Sequence, residues 1–153
     1  GKQAARAMRD ALRLAGIRPD QIDYVNAHAS ATSLNDSTES RVIREVFGEH
    51  TDSLAVSGTK GFHAHSLGAT GAIEAGVTSL AMREGWIPPT LNLETPDPEC
   101  DLPFTTGMRR LGGERRRERG EGQTQNEGSH GRSSSGTCML RGRKRHTRSM
   151  KIV

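Results

Sequence analysis

Aromatic side chains are nearly missing from this 153-residue chain, which has one Trp, one Tyr and three Phe. Hydrophobic residues reach only 32% of the sequence, lean for a chain that fills a core along its whole length. Cysteine is scarce as well. Cys100 and Cys138 are the only two, which excludes a disulfide framework, and no Cys/His spacing has the form of a zinc site. No apolar run approaches a membrane span, and the N-terminus lacks the basic-then-apolar order of a secretory signal. A reducing, soluble, cytoplasmic setting is the expectation. An initiating methionine is also missing. Gly1 opens directly onto a helical pattern, so the chain reads as a piece of a longer protein.

The charge that is present is unevenly placed. Of 22 Lys and Arg residues, 13 lie in residues 108–153, together with only 4 of the 18 Asp and Glu residues. The first 107 residues therefore hold 9 cations against 14 acids and are net acidic, while the remainder is strongly basic. Residues 112–151 are mostly Arg, Gly, Ser, Glu and Gln, with almost no apolar residue before Met139. Such a segment cannot bury enough surface to offset the entropy of ordering it. The expected organisation is a folded domain over 1–107 and a disordered, non-native basic tail over 108–153. An Arg-rich tail can bind phosphates, but this one lacks interleaved aromatics and any recognition module, so nucleic acid is not the expected partner.

Within the first 107 residues the apolar pattern alternates between two periods. Ala5, Met8, Leu12 and Ala15 recur at helical spacing and predict a helix over 2–15, stopped by Gly16. Ile22 to Asn26 reads as a short buried strand. Asp36-Ser37-Thr38-Glu39 has the form of a helix start with an acid three residues after the cap, and Val42, Ile43 and Val46 continue the stripe to Gly48. Leu54 to Ser57 is a second strand. A small-residue helix follows from Ser66 through Ala69, Ile73, Ala75, Val77, Leu80 and Ala81 to Gly85, and Thr90 to Leu93 is a third strand or extended segment. Helices alternating with strands predict a mostly parallel, layered α/β arrangement. Functional groups in such sheets lie beyond the carboxyl ends of the strands.

Two loops occupy that position, and each carries histidine: Asn26-Ala27-His28-Ala29-Ser30-Ala31-Thr32, and Ser57 through Gly71 with Lys60, His63 and His65. A single loop histidine is more often structural than catalytic. Two of them at equivalent strand ends can each donate an N–H to one developing oxyanion, the kind of preorganised stabilisation that dominates acyl chemistry. Lys60 adds positive potential, and Glu39 is the natural partner for it, although a plain capping role accounts for Glu39 equally well. A lysine solvated in a turn is the plainer reading of Lys60. His63-Ala64-His65 with His28 offers three metal ligands, but no carboxylate falls at a telling spacing. The glycines from Gly68 to Gly76 fit neither phosphate-loop nor dinucleotide fingerprints. Cys100 sits among Asp97, Glu99 and Asp101, neighbours that disfavour a thiolate.

Tyr24-Val25-Asn26-Ala27-His28, Ser57-Gly58-Thr59-Lys60, His65-Ser66-Leu67-Gly68-Ala69-Thr70-Gly71-Ala72-Ile73-Glu74-Ala75 and Pro88-Pro89-Thr90-Leu91-Asn92-Leu93 together resemble the C-terminal half of β-ketoacyl-[acyl-carrier-protein] synthases. The likeness is to the condensing enzyme II type of fatty acid synthesis and its polyketide relatives, and it covers roughly residues 1–107. It implies one half of a thiolase-like layered αβαβα fold in a usually homodimeric acyltransferase. In that family a cysteine of the other half takes an acyl chain as thioester. Malonyl carrier protein then loses CO2, and its enolate attacks the thioester. The resemblance assigns His28 and His65 to decarboxylation and enolate stabilisation, Lys60 to the electrostatics of the site, and Glu39 to an acid near that lysine. It assigns Ser30 and Thr32 to contact with the phosphopantetheine arm of an acyl carrier protein. No cofactor, metal or membrane is implied.

The chain departs from the family pattern in places. Where the family has Gly-Thr-Ser-Thr after the first histidine, this chain has Ala29-Ser30-Ala31-Thr32, which keeps the two contact hydroxyls. The family glycine before the second histidine is Ala64. Neither Cys100 nor Cys138 corresponds to the family nucleophile, and the late Gly-Phe-Gly-Gly segment is missing. The expectation is a truncated piece, inactive alone. The alternatives are another thiolase-fold acyltransferase, disfavoured by Ser66 where thiolases carry proline, and a non-catalytic partner subunit.

Overall fold

The computed structural model describes residues 1–111. The expected disorder of the basic tail, and Cys138, lie outside the described residues.

Helix α1 runs Lys2–Ala15, as its spacing predicts, and Gly16 ends it in the left-handed conformation (φ 63°) with its N–H returned to Arg13 and Leu12. A turn at Pro19–Gln21 leads to strand β1, Tyr24–Ala27. Helix α2 spans Ser33–Phe47, strand β2 Ala55–Gly58, a short helix α3 Lys60–His63, and helix α4 Thr70–Glu84. Strand β3, Trp86–Ile87, pairs antiparallel with β4, Arg109–Arg110. Strands β1 and β2 are parallel, in register from Tyr24 opposite Ala55 to Ala27 opposite Gly58, and Phe104 adds one bridge on the far side of Val56.

Side chains alternate across a strand, so the β1–β2 pair has two faces. On one face Val25, Ala27, Leu54 and Val56 pack with Ala5 and Leu12 of α1 and Val42, Ile43, Val46 and Phe47 of α2. Burying each large member of this cluster contributes about 1.5–3 kcal/mol. The other face is hydrogen-bonded. The Tyr24 hydroxyl meets Ser57 Oγ at 2.8 Å, and Asn26 Nδ2 donates to Thr78 Oγ1 at 3.2 Å and to the Glu74 carbonyl at 3.4 Å. Helix α4 sits on this polar seam.

Several expectations are corrected here. The helix expected to start at Asp36 starts at Ser33, where the Asp36 N–H already donates to Thr32 O at 3.0 Å, and Glu39 is spent on the His28 loop rather than on a capping box. The residues that seat α4 are Thr70, Thr78 and Ala81, while Ala75 and Leu80 of the expected apolar stripe are exposed. Residues 66–69 form a tight turn (Leu67–Ala69) ahead of α4 instead of its first turn. Among the described residues Thr90–Leu93 forms no strand. Asn92 takes φ 59° and turns the chain, and Thr90 N–H donates to Thr105 O at 2.8 Å. Pairing continues past residue 107 instead, through Arg109 and Arg110, where Leu111 N–H reaches Gly85 O at 3.0 Å and the Arg110 guanidinium lies 5.0 Å over the Trp86 ring. No helix among the described residues is long and apolar enough to cross a membrane.

Candidate functional site

The parallel register ends Ala27 beside Gly58, so both histidine loops leave the sheet at the same edge. An added methyl on Gly58 would come within 2.5 Å of the Ala29 Cβ, which shows how closely the two loops are pressed together. The imidazoles of His28 and His65 meet there edge to face, with ring centres 5.1 Å apart and planes at 82°. Both side chains are exposed.

His28 is held through its backbone. Its N–H donates to Glu39 Oε1 at 2.6 Å, and the Ala29 N–H donates to Oε2 at 2.8 Å. One carboxylate thus takes two consecutive amides, a charge-assisted arrangement. From the other side the His28 carbonyl accepts from Lys60 Nζ. Lys60 is buried, and its ammonium pairs with Glu74 Oε1. The expected Lys60–Glu39 partnership is therefore replaced: Glu74 of α4 is the anion, and Glu39 is the anchor of the His28 loop. A buried ammonium needs such a partner. The signal for Glu74 was present in the sequence, but an acid near the start of a helix of mostly small residues looks like a surface residue.

His65 is fixed by its own ring. Leu67 N–H donates to Nδ1 at 3.3 Å, and the Thr70 hydroxyl lies 3.0 Å from the same nitrogen. An N–H can only donate, so Nδ1 is an acceptor and the neutral ring carries its proton on Nε2. That leaves a free N–H donor beside His28. Ser30 Oγ and Thr32 Oγ1 are 3.1 Å apart at the start of α2. His63 stands apart from the pair, with Nε2 3.2 Å from Thr59 Oγ1 and Nδ1 2.8 Å from the Ala64 carbonyl. Both its nitrogens are thus taken up by the protein, and among the described residues no group of three His, Cys, Asp or Glu side chains is placed to hold a metal.

Tyr24 lies beneath the site. Its phenol is fully buried, and burial pushes its pKa up to about 12, with the Glu74 charge adding to the rise and the Ser57 hydrogen bond opposing it. Cys100 is a free, buried thiol in the wall of a cavity of about 320 Å3. That cavity runs past Ala29, Glu39, Gly58, Leu91 and Phe104, and its lining includes neither His28 nor His65. The His28–His65 contact thus lies outside this cavity, at the ends of the two strands.

Residues 1–94 match the family described as Beta-ketoacyl synthase, C-terminal domain. The chain is 46% identical over 110 residues to 3-oxoacyl-[acyl-carrier-protein] synthase 2 of Synechocystis, covering 72% of this chain and 26% of that protein. It is 50% identical over 97 residues to the Coxiella burnetii protein of the same name, covering 63% and 23%. Among solved structures, a β-ketoacyl synthase from Burkholderia phymatum superposes with a TM-score of 0.67 at 38% identity, over 72% of this chain and 27% of that one. A type II polyketide ketosynthase solved in complex with its acyl-carrier protein does so with a TM-score of 0.67 at 35% identity, over 70% and 26%. The chain thus spans about a quarter of the relatives it matches. By sequence match and by fold, this chain belongs to the β-ketoacyl synthase C-terminal domain family.

Proposed function

We propose that this chain supplies the decarboxylating, enolate-stabilising side of a 3-oxoacyl-[acyl-carrier-protein] synthase site. The observation that carries the reading is the edge-to-face approach of His28 and His65 at the ends of two parallel strands, with the Lys60 ammonium behind them. When malonyl thioester loses CO2, the electron pair of the breaking C–C bond moves toward the thioester carbonyl, and negative charge grows on its oxygen. Donors already aimed at that oxygen lower the barrier without reorganising. His65 offers Nε2–H because its Nδ1 is occupied, and His28 is the second donor. Lys60 adds positive potential through the His28 carbonyl it binds, and Glu39 holds the His28 backbone in place. Ser30 and Thr32 lie along the path of the phosphopantetheine arm.

The partner is an acyl carrier protein bearing malonyl or acyl phosphopantetheine, and the assembled enzyme is a homodimer in the cytoplasm. The solved ketosynthase relative in complex with its acyl-carrier protein supports the first of these, and the free thiol of Cys100 fits a reducing compartment. The acyl-accepting cysteine comes from outside this chain. Carbon dioxide release and 3-oxoacyl product are the quantities to measure, with acyl and malonyl carrier proteins and a separately produced cysteine-bearing half of a relative. Neither component alone is expected to condense. In the mixture, His28→Ala or His65→Ala is expected to cut decarboxylation by roughly 10²- to 10³-fold, the usual effect of losing one oxyanion donor. Condensation by this chain alone, or full decarboxylation in His65→Ala, overturns the proposal.

A further inference from the structure

His63 has no part in the chemistry above, yet both its ring nitrogens contact other residues of the second histidine loop. We propose that His63 is a positioning residue: it holds Ala64 in a glycine-like backbone conformation and thereby sets the placement of His65.

Ala64 has φ 60° and ψ −176°. This region is essentially reserved for glycine, because a Cβ crowds the neighbouring peptide. Something must hold an alanine there, and its peptide is pinned at both ends. The Ala64 N–H donates to the Lys60 carbonyl at 2.8 Å, closing α3. The Ala64 carbonyl lies 2.8 Å from His63 Nδ1. A carbonyl oxygen only accepts, so His63 Nδ1 carries the proton. The far nitrogen of the same ring, an acceptor in this tautomer, lies 3.2 Å from Thr59 Oγ1, whose one proton is shared between it and Asn26 Oδ1 of β1 at 3.1 Å. The ring therefore spans the turn, from the residue before Lys60 to the residue before His65, and is tied to the sheet. Rotation of the Ala64 peptide would carry His65 away from both His28 and the Leu67 N–H that fixes its ring. In this arrangement the His63-Ala64-His65 spacing is a brace followed by a donor. The catalytic meaning of the brace rests on the role proposed for His65, whereas the brace itself stands on the contacts alone.

Long-range 1H–15N NMR of the histidine rings in the full 153-residue chain reads the proposal directly, together with urea midpoints. Unsubstituted His63 is expected to show a protonated Nδ1. His63→Asn keeps a donor near the Nδ1 position, and His63→Gln keeps only the reach toward Thr59. His63→Gln is expected to shift the His65 ring signals and lower the midpoint, while His63→Asn leaves the His65 signals near those of the parent. Ala64→Gly removes the need for the brace, so in that background the effect of His63→Gln is expected to fall below half. A bare Nδ1 on His63 overturns the proposal, and this is readable in the parent chain even where a variant fails to fold. Equal effects of His63→Gln in both backgrounds overturn it as well, as does His63→Asn disturbing His65 as much as His63→Gln does. None of these readouts needs turnover, so a failure here is distinct from a failure of the synthase reading.

Discussion

Lys60 and Glu74 form a buried ion pair whose ammonium also reaches the His28 carbonyl. Removing one partner of such a pair leaves an uncompensated charge in the interior, at a cost of about 3–5 kcal/mol. Glu74→Gln is expected to lower stability by that order in urea unfolding, and the Lys60→Met, Glu74→Leu pair by much less, because exchanging both partners removes the orphan. Tyr24 titrates in the opposite regime. Its folded pKa of about 12 lies above the ordinary value near 10, so between those pH values the native state binds more protons than the unfolded chain. The stability linked to this phenol is complete below pH 10 and is lost as pH rises toward 12, by about 2–3 kcal/mol. Urea midpoints measured from pH 9 to 12 are expected to fall less steeply in Tyr24→Phe than in the parent.

The contact between the two strand-end loops makes a prediction for elements. Gly58→Ala would drive a methyl to within 2.5 Å of the Ala29 Cβ, an overpacking worth about 1–3 kcal/mol. Combining it with Ala29→Gly removes the obstacle, so the double variant is expected to recover most of the lost thermal stability. These elements also show what a sequence can convey. The strands at Tyr24–Ala27 and Ala55–Gly58 were legible because each is a short apolar run closed by a loop of small residues, and that His28, Lys60 and His65 lie together was legible because both loops leave the same end of a parallel pair. The β3–β4 pair was not legible, since two-residue strands carry no period and Arg109-Arg110 looks like the start of a basic tail. The partnership of Lys60 was misassigned for a related reason. Fourteen residues separate it from Glu74, and only the seating of α4 on the sheet closes that gap. Alternation at Thr90–Leu93 mimicked a strand, but the positive φ of Asn92 turns the chain.

At the scale of the whole molecule, the apolar surface is distributed in a way that favours association. Leu34 is 80% exposed, Leu67 78% and Leu80 51%, with Phe62 also open. Single exposed leucines are ordinary, but Phe62, Leu67 and Leu80 belong to three consecutive elements, α3, the turn after it and α4, and exposed apolar surface drives self-association. The chain is expected to elute from size exclusion as oligomer or aggregate, and Leu67→Ser with Leu80→Ser to shift it toward monomer. A monomeric, cooperatively unfolding parent would contradict this.

The two unlike faces of the β1–β2 pair imply that the molecule can come apart in stages. One layer is joined by apolar contacts that weaken on cooling, and α4 is joined to the other face, beside the small Tyr24, Ala55 and Ile87 cluster, mainly by hydrogen bonds and the Lys60–Glu74 pair. Conditions that spare one seam need not spare the other. Amides of α4 are expected to exchange with deuterium through a partial opening at lower free energy than those of α2, and that gap should widen in Glu74→Gln. Such an opening would disassemble the site before the domain unfolds, because α4 carries both Glu74 and the Thr70 hydroxyl beside His65.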